Sequence, residues 1–274
     1  MANLLFFDID GTLWDNHSRI PESTISAIRR ARANGCLVFI NSGRSRAYIR
    51  DKTLFGIGFD GVVSGDGTTV EFPAEDAQAC SADYHQNRIV LDQEHTPEEA
   101  LRTVELLKKY RFFAILEGRD WLYIDLDEFG PDAYVNHVAT DMGDHLLPIT
   151  GCWNNWHFTK FSADLRSAVN REEGLAKLAE RYEVLQHTHD VFEFVPRGCS
   201  KATGIQAVCR LLGASPADTY AFGDSANDIP MLREAAHGIA MGNGTQEAKE
   251  AAEFVTASLE ENGIELALRH YGLI

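Results

Sequence analysis

Asp8 and Asp10 stand two positions apart, directly after the apolar run Leu4-Leu5-Phe6-Phe7, and Gly11-Thr12 follow them. At this spacing on a strand, both side chains leave on the same side. Two close carboxylates repel, so the pair holds a cation or shares a proton. The plainer alternative is a turn in which Asp10-Gly11-Thr12 caps a bend. Three further segments offer matching chemistry. Ser42 carries a hydroxyl beside Gly43, whose flexible backbone lets N–H groups approach an anion; taken alone, Ser42 reads equally well as a helix N-cap. Lys201 opens a helix after Gly198-Cys199-Ser200 and, alone, reads as a surface lysine. Asp224 lies in Gly223-Asp224-Ser225-Ala226-Asn227-Asp228, where the plain reading is again a capped turn.

These groups become interesting through the elements that position them. Residues 4–8 read as a buried strand, residues 22–34 as a helix with Ile25, Ile28 and Ala31 on one face, and Gly35 as its C-cap. A strand over 36–40, a helix over 45–54 and a short strand at Val62-Val63 follow. The rhythm returns with a helix over 201–212, strands over 219–222 and 238–241, helices over 228–236 and 245–252, a short strand at Phe254-Val255 and a final helix over 263–270. This alternation predicts an α/β fold with a doubly wound parallel sheet. Open α/β sheets bind ligands beyond the carboxyl ends of their strands. Such a fold would gather the acids, the hydroxyl and the lysine at one sheet edge. The composition suits Mg²⁺ with phosphate: hard oxygen ligands for the metal and a point cation for phosphoryl oxygens.

The middle of the chain differs. Thr96-Pro97-Glu98-Glu99 is a capping box with Pro at the first helical position, and alternating segments over 112–116, 121–126, 156–162, 184–189 and 191–195 read as strands, with a helix over 171–182. An α+β insert over 81–190 inside a discontinuous core, 1–80 and 191–274, is expected. The chain has 274 residues and 25 basic against 41 acidic side chains, a formal charge of −16. That balance argues against nucleic acid and anionic membranes as partners and leaves a small molecule. The opening MANLLFFDID lacks a basic leader, and five scattered cysteines form no CxxC pair, so a cytoplasmic protein is expected. Oligomeric state is not written in these features.

In order, Asp8-Ile9-Asp10-Gly11-Thr12, Ser42 within Asn41-Ser42-Gly43-Arg44, Lys201, and Gly223-Asp224-Ser225-Ala226-Asn227-Asp228 resemble the four motifs of the haloacid dehalogenase (HAD) superfamily. The similarity extends through Ala240-Met241-Gly242-Asn243 and Phe254-Val255-Thr256. Residues 11–41, between the first two motifs, are too few for a domain, whereas residues 43–200 have room for one. This resembles the Cof-type branch with a C2 cap, a sugar-phosphatase-like group, and disfavours the phosphomutase branch. The resemblance implies an aspartyl-phosphate mechanism. Asp8 would be the nucleophile and Asp10 the general acid and base. Lys201 would orient Asp8 and neutralise charge, while Ser42, Gly43, Asn227 and Lys201 would hold the phosphoryl group. Mg²⁺ would lie on Asp8, the Asp10 carbonyl and Asp224, with Asp228 meeting it through water or anchoring Lys201. The implied activity is hydrolysis of a small phosphate monoester, a phosphosugar first; a phosphotransferase or mutase and a non-catalytic phosphosugar-binding protein are the alternatives.

Several features invite other readings. The segment Ser64-Gly65-Asp66-Gly67 stands where relatives often have Asn-Gly-Ala; Asp66 adds a negative charge near the phosphate-binding rim and either reads a substrate hydroxyl or only makes a turn, the turn being the default. Arg44 and Arg46 either meet substrate or form helix-surface salt bridges, the latter being the default. Gly56-Ile57-Gly58-Phe59-Asp60-Gly61 matches a dinucleotide fingerprint, but a helix precedes it and a strand follows, the reverse of what that fingerprint needs. Trp153 and Trp156 are read as packing, and His187 and His189 as ordinary strand histidines.

Overall fold

The structure is a computed structural model that describes residues 2–129, 133–152 and 155–274. It divides into two compact units: Met1–Gly43, Arg50–Asp92 and Cys199–Ile274 form one, and Arg44–Ile49 with Gln93–Gly198 the other. Along the chain, the first unit supplies β1 (Leu4–Phe7), α1 (Glu22–Ala33), β2 (Leu37–Asn41), α2 (Lys52–Phe55), β3 (Gly61–Ser64), β4 (Thr69–Pro73) and β5 (Asn87–Asp92). The second supplies α3 (Pro97–Tyr110), β6 (Phe113–Glu117), β7 (Leu122–Ile124), α4 (Leu126–Phe129), α5 (Ala133–Met142), β8 (Leu146–Leu147), β9 (Lys160–Asp164), α6 (Arg171–Ala179), β10 (Tyr182–Gln186) and β11 (Val191–Pro196). The chain then returns to the first unit with α7 (Lys201–Leu212), β12 (Thr219–Gly223), α8 (Ile229–Glu234), β13 (His237–Ala240), α9 (Gln246–Ala251), β14 (Phe254–Val255) and α10 (Gly263–His270).

In the first unit the strand order is β14-β13-β12-β1-β2-β3-β4-β5. Pairing is parallel from β14 to β3 and antiparallel across β3, β4 and β5. Strand β1 is central, with Leu4 in register with Leu37 on one side and Thr219 on the other. Its four residues are all buried, which is why its sequence is continuously apolar rather than alternating. Phe6 stacks on Phe39 and Phe7 on Phe222, tying β1 to both neighbours.

Three expectations need correction. First, β5 pairs with β4 in the first sheet and β11 pairs with β9 and β10 in the second. The insert thus begins after Asp92 rather than at 81, and the first unit resumes at Cys199 rather than 191. Second, the helix expected over 45–54 is broken into a single turn at Arg46–Tyr48 and the four-residue α2. Asp51 causes the break: its carboxylate accepts the Leu54 N–H at 2.7 Å and starts a new helix. Third, Arg46 is not a surface residue; it is buried, and its guanidinium donates to the Ile49 carbonyl. The glycine-rich segment 56–61 follows α2 and runs into β3, in the order that excludes a dinucleotide turn.

The second unit holds a sheet of order β10-β11-β9-β6-β7-β8, antiparallel except between β7 and β8. Ala100, Val104 and Leu107 of α3 and Leu178 of α6 share one core with Leu116, Phe161 and Phe194 of the sheet. Trp156 is buried in this core and donates its indole N–H to the Ile149 carbonyl at 3.0 Å; Trp153 lies outside the described residues. His187 and His189 meet separate carboxylates, Glu193 and Asp190. Among the described residues, no helix is long and apolar enough to cross a membrane.

His95 gives this unit a pH dependence. Its Nδ1 lies 2.8 Å from the Phe158 carbonyl and its Nε2 lies 2.6 Å from the Tyr182 hydroxyl, which also meets Thr103. The neutral ring satisfies both contacts, donating from Nδ1 and accepting at Nε2. Burial pushes the His95 pKa down, so protons bind the unfolded chain more readily. The resulting stability is complete above the unfolded value of about 6.5 and is lost as pH falls from there toward the folded value. Thermal unfolding between pH 7 and pH 5 is expected to fall more steeply for the native protein than for His95→Phe. The difference is bounded by one proton, at most about 1.4 kcal/mol per pH unit. Equal slopes would remove His95 as the cause.

Candidate active site

Strand β1 stops at Phe7, and the Asp8 N–H continues its ladder by donating to the Phe222 carbonyl at 3.0 Å. Asp8 and Asp10 therefore both lie beyond the strand, and strand alternation does not govern them. Asp8 is buried while Asp10 is exposed, at a tight turn in which the Gly11 N–H meets the Trp14 carbonyl at 2.9 Å. Gly11 has φ +77°, and a Cβ there would fall 2.4 Å from the Asp224 carboxylate. Only glycine lets this turn pass so close to Asp224.

Lys201 is the first residue of α7, behind the capping pair Ser200 and Thr203. The Asn41 amide, at the end of β2, donates to the Lys201 main-chain carbonyl at 3.0 Å and fixes the start of that helix. Lys201 Nζ then reaches Asp8 Oδ1 at 2.7 Å and Asp228 Oδ1 at 2.5 Å, with all three side chains nearly inaccessible. Asp228 divides its two oxygens. Oδ1 takes the lysine, and Oδ2 accepts the Asp224 N–H at 2.8 Å and the Ser225 N–H at 3.0 Å. Asp224 is held in turn by the Thr12 hydroxyl at 3.2 Å, and its carbonyl accepts the Thr245 N–H at 2.7 Å.

Ser42 is buried past the end of β2; its N–H donates to Val63 at 3.0 Å and its carbonyl accepts from the Asp66 N–H at 3.2 Å. The next residue, Gly43, faces the Asn227 amide: a Cβ there would lie 3.2 Å from Asn227 Nδ2. Asp8, Asp10, Ser42, Gly43, Lys201, Asp224, Asn227 and Asp228 all belong to the first unit, at the carboxyl ends of β1, β2 and β12 and the start of α7. Thr12, Asn41 and Asn243 had no role assigned from sequence. Asn243 donates to the Gly11 carbonyl at 2.7 Å and accepts the Leu259 N–H at 2.9 Å, bracing the Asp10 turn. The sequence signal was each residue's place beside a glycine or at a strand end.

The electrostatics are unbalanced. Burial raises the Asp8 pKa well above the usual carboxylate range, Asp228 adds to this, and Lys201 works against it. Burial, then Asp228, pushes Asp224 up to about 6, although the Thr12 hydrogen bond opposes the rise. Burial alone would lower the Lys201 pKa, but the carboxylates of Asp228 and Asp8 reverse that and raise it. Asp8, Asp224 and Asp228 each offer an oxygen, all within 4.8 Å of one another. One ammonium does not neutralise three carboxylates. A small divalent cation with a preference for hard oxygen donors fits this set.

The family model for haloacid dehalogenase-like hydrolases matches residues 5–268. "Putative phosphatase YkrA" of Bacillus subtilis (strain 168) is 31% identical over 276 residues, covering 100% of this chain and 99% of its own. The 5-amino-6-(5-phospho-D-ribitylamino)uracil phosphatase YcsE of the same organism is 25% identical, with 98% and 96% covered. Among solved structures, the HAD subclass IIB sugar phosphatase BT4131 superposes with a TM-score of 0.77 at 26% identity, over 100% of both chains. With the model matching almost end to end, the chain belongs to the family of haloacid dehalogenase-like hydrolases.

Proposed function

We propose that this protein is a Mg²⁺-dependent phosphatase that hydrolyses a small phosphate monoester, a phosphosugar first, through an aspartyl-phosphate. The observation that carries the reading is Asp8: a buried carboxylate held at 2.7 Å by Lys201 inside a three-carboxylate cluster. Relatives named as phosphatases, one of them a sugar phosphatase, support the same reading.

Asp8, Asp224 and the Asp10 carbonyl would hold the metal. When bound, Mg²⁺ would neutralise these oxygens and a phosphoryl oxygen, so that Asp8 stays ionised despite its burial. Asp8 attacks phosphorus, and the bond to the alcohol oxygen breaks as an acyl phosphate forms. Asp10, exposed at the turn after β1, gives its proton to the departing oxygen. It then takes a proton from the water that attacks phosphorus, which releases phosphate and restores Asp8. Ser42, the Gly43 N–H, Asn227 and Lys201 hold the phosphoryl oxygens, and Asp228 keeps Lys201 in place through its Oδ1.

The experiment is phosphate release from a broad panel of monoesters. Turnover is expected with Mg²⁺, to vanish after dialysis against EDTA and to return when Mg²⁺ is restored. EDTA-resistant turnover removes the metal from the proposal. Transfer of the phosphoryl group to an added alcohol without release favours a phosphotransferase, and no turnover on any ester favours a binding protein.

A further inference from the structure

The turn that carries Asp10 is held by a residue with no part in the steps above. Asn243 lies in the loop between β13 and α9. Its side-chain amide makes two hydrogen bonds of opposite sense. Nδ2 donates to the Gly11 carbonyl at 2.7 Å, and Oδ1 accepts the Leu259 N–H at 2.9 Å. Only the amide oxygen can accept from an N–H, so the two ends of the side chain cannot trade places. Leu259 is buried, and the Gly242 N–H ties the loop to the same segment by donating to the Ala257 carbonyl at 3.0 Å. Asn243 thereby links a fixed point of the fold to the Asp10 turn.

What it holds is the residue with the most freedom in that turn. Gly11 has φ +77°, a conformation that glycine enters and leaves without steric cost. Its N–H donates to the Trp14 carbonyl at 2.9 Å, and the Thr12 hydroxyl next in the chain donates to Asp224 at 3.2 Å. The bond from Asn243 adds a restraint on the Gly11 carbonyl, and so on the plane of the peptide that joins Gly11 to Thr12. The same loop reaches Asp224. The Thr245 N–H donates to the Asp224 carbonyl at 2.7 Å, and a Cβ on Gly244 would fall 2.7 Å from that oxygen. One loop therefore sets Asp224 and the Asp10 turn in a common frame. Asp10 is exposed, so the aim of its carboxyl depends on the backbone that carries it more than on packing. A general acid works only within hydrogen-bond reach of the oxygen it protonates, and a misplacement of about 1 Å costs about a hundredfold in rate.

We propose that Asn243 is a positioning residue for proton transfer: by fixing the Gly11 carbonyl, it aims the Asp10 carboxyl at the oxygen that departs from phosphorus. The proposal rests on the phosphatase reading and deepens it. In that step the bond from phosphorus to the alcohol oxygen breaks, and the Asp10 proton passes to that oxygen. An alkoxide leaves poorly without the proton, whereas p-nitrophenolate leaves as a stable anion. A misaimed Asp10 therefore slows alkyl esters more than p-nitrophenyl phosphate.

The test measures kcat/KM for glucose 6-phosphate, benzyl phosphate and p-nitrophenyl phosphate, with the full chain in Mg²⁺, in native protein, Asn243→Ala, Asn243→Asp and Asp10→Asn. This constant reports the reaction as far as transfer to Asp8, so the later attack of water does not enter it. The readout is the ratio of each alkyl ester to p-nitrophenyl phosphate, which cancels the amount of folded enzyme. Asp10→Asn sets the full effect, an expected fall of about a hundredfold or more. Asn243→Ala is expected to lower the ratio by about tenfold or more. Asn243→Asp keeps an acceptor for Leu259 but loses the donor to Gly11, and is expected to match Asn243→Ala within about threefold. A ratio that stays put in both Asn243 variants, including equal falls on all three esters, overturns the proposal while the fall in Asp10→Asn leaves the acid assignment standing. A ratio lost in Asn243→Ala but kept in Asn243→Asp also overturns it, because the bond to Gly11 is then not the cause. A ratio unchanged in Asp10→Asn removes Asp10 as the acid and Asn243 with it. No release by native protein from these or any other monoester overturns the phosphatase reading and this proposal together.

Discussion

Asp8→Asn is expected to lower turnover by at least about 10⁴-fold, equivalent to about 5 kcal/mol of transition-state stabilisation, with the fold intact. The amide keeps the size of the carboxylate but cannot form the acyl phosphate. It also removes a charge whose burial is unfavourable, as the raised Asp8 pKa records. Thermal unfolding of Asp8→Asn without metal is therefore expected at or above the native temperature, a case in which the active site holds a group the fold would be easier without. Phosphate release and a melting curve decide both halves. Turnover within a hundredfold of native would remove Asp8 as the nucleophile, and a large drop in melting temperature would show that the carboxylate is structural.

Lys201→Met is expected to abolish turnover and, unlike Asp8→Asn, to destabilise the first unit. The ammonium is fully buried between Asp8 and Asp228, so its removal leaves two carboxylates without their counter-charge. Breaking one side of a buried ion pair costs about 3–5 kcal/mol. The sign of the pH dependence follows from Asp8. Its folded-state pKa is already raised, and loss of Lys201 removes the group that lowers it. The penalty is thus present at neutral pH and fades as pH falls and Asp8 takes up a proton. Denaturant unfolding at pH 7 and pH 5 is the measurement, with Lys201→Met/Asp8→Asn as the control expected to recover part of the loss. A variant equally stable at both values, or a double variant no better than the single, would contradict this account.

Strand ends were legible because each joins an apolar run to a glycine turn: Phe7 to Gly11, Asn41 to Gly43 and Phe222 to Gly223. Ordered spacing along a parallel sheet then implied that their polar residues meet. Asp228 illustrates the limit. Sequence left open whether it meets a metal or anchors Lys201, and only the geometry separates its two oxygens between the lysine and two backbone N–H groups. Strands β4 and β5 were missed for a physical reason. Strand β4 carries Glu71 in its middle and ends in Pro73, a poor strand by pattern. Glu71 is nonetheless buried, with its carboxylate accepting from the Asn87 amide at 2.9 Å across the pair. A partner distant in sequence compensates for what local pattern disfavours. The broken helix after Arg44 escaped notice similarly, because the Asp51 cap is a side-chain choice that periodicity does not report.

The central place of β1, between β2 and β12, has a consequence during synthesis. Its first neighbour follows within a few dozen residues, but β12 begins at Thr219. At about 5–20 residues per second, roughly 10–40 s pass before the second neighbour leaves the ribosome. During that interval Leu4–Phe7 presents one open backbone edge and two apolar faces, and Asp8 has neither Lys201 nor Asp224 beside it. A nascent chain in this state can neither complete the carboxylate cluster nor protect its most apolar strand. Truncated products that end before Thr219 are expected to aggregate, and chaperone demand is concentrated in the stretch of translation that makes the inserted unit.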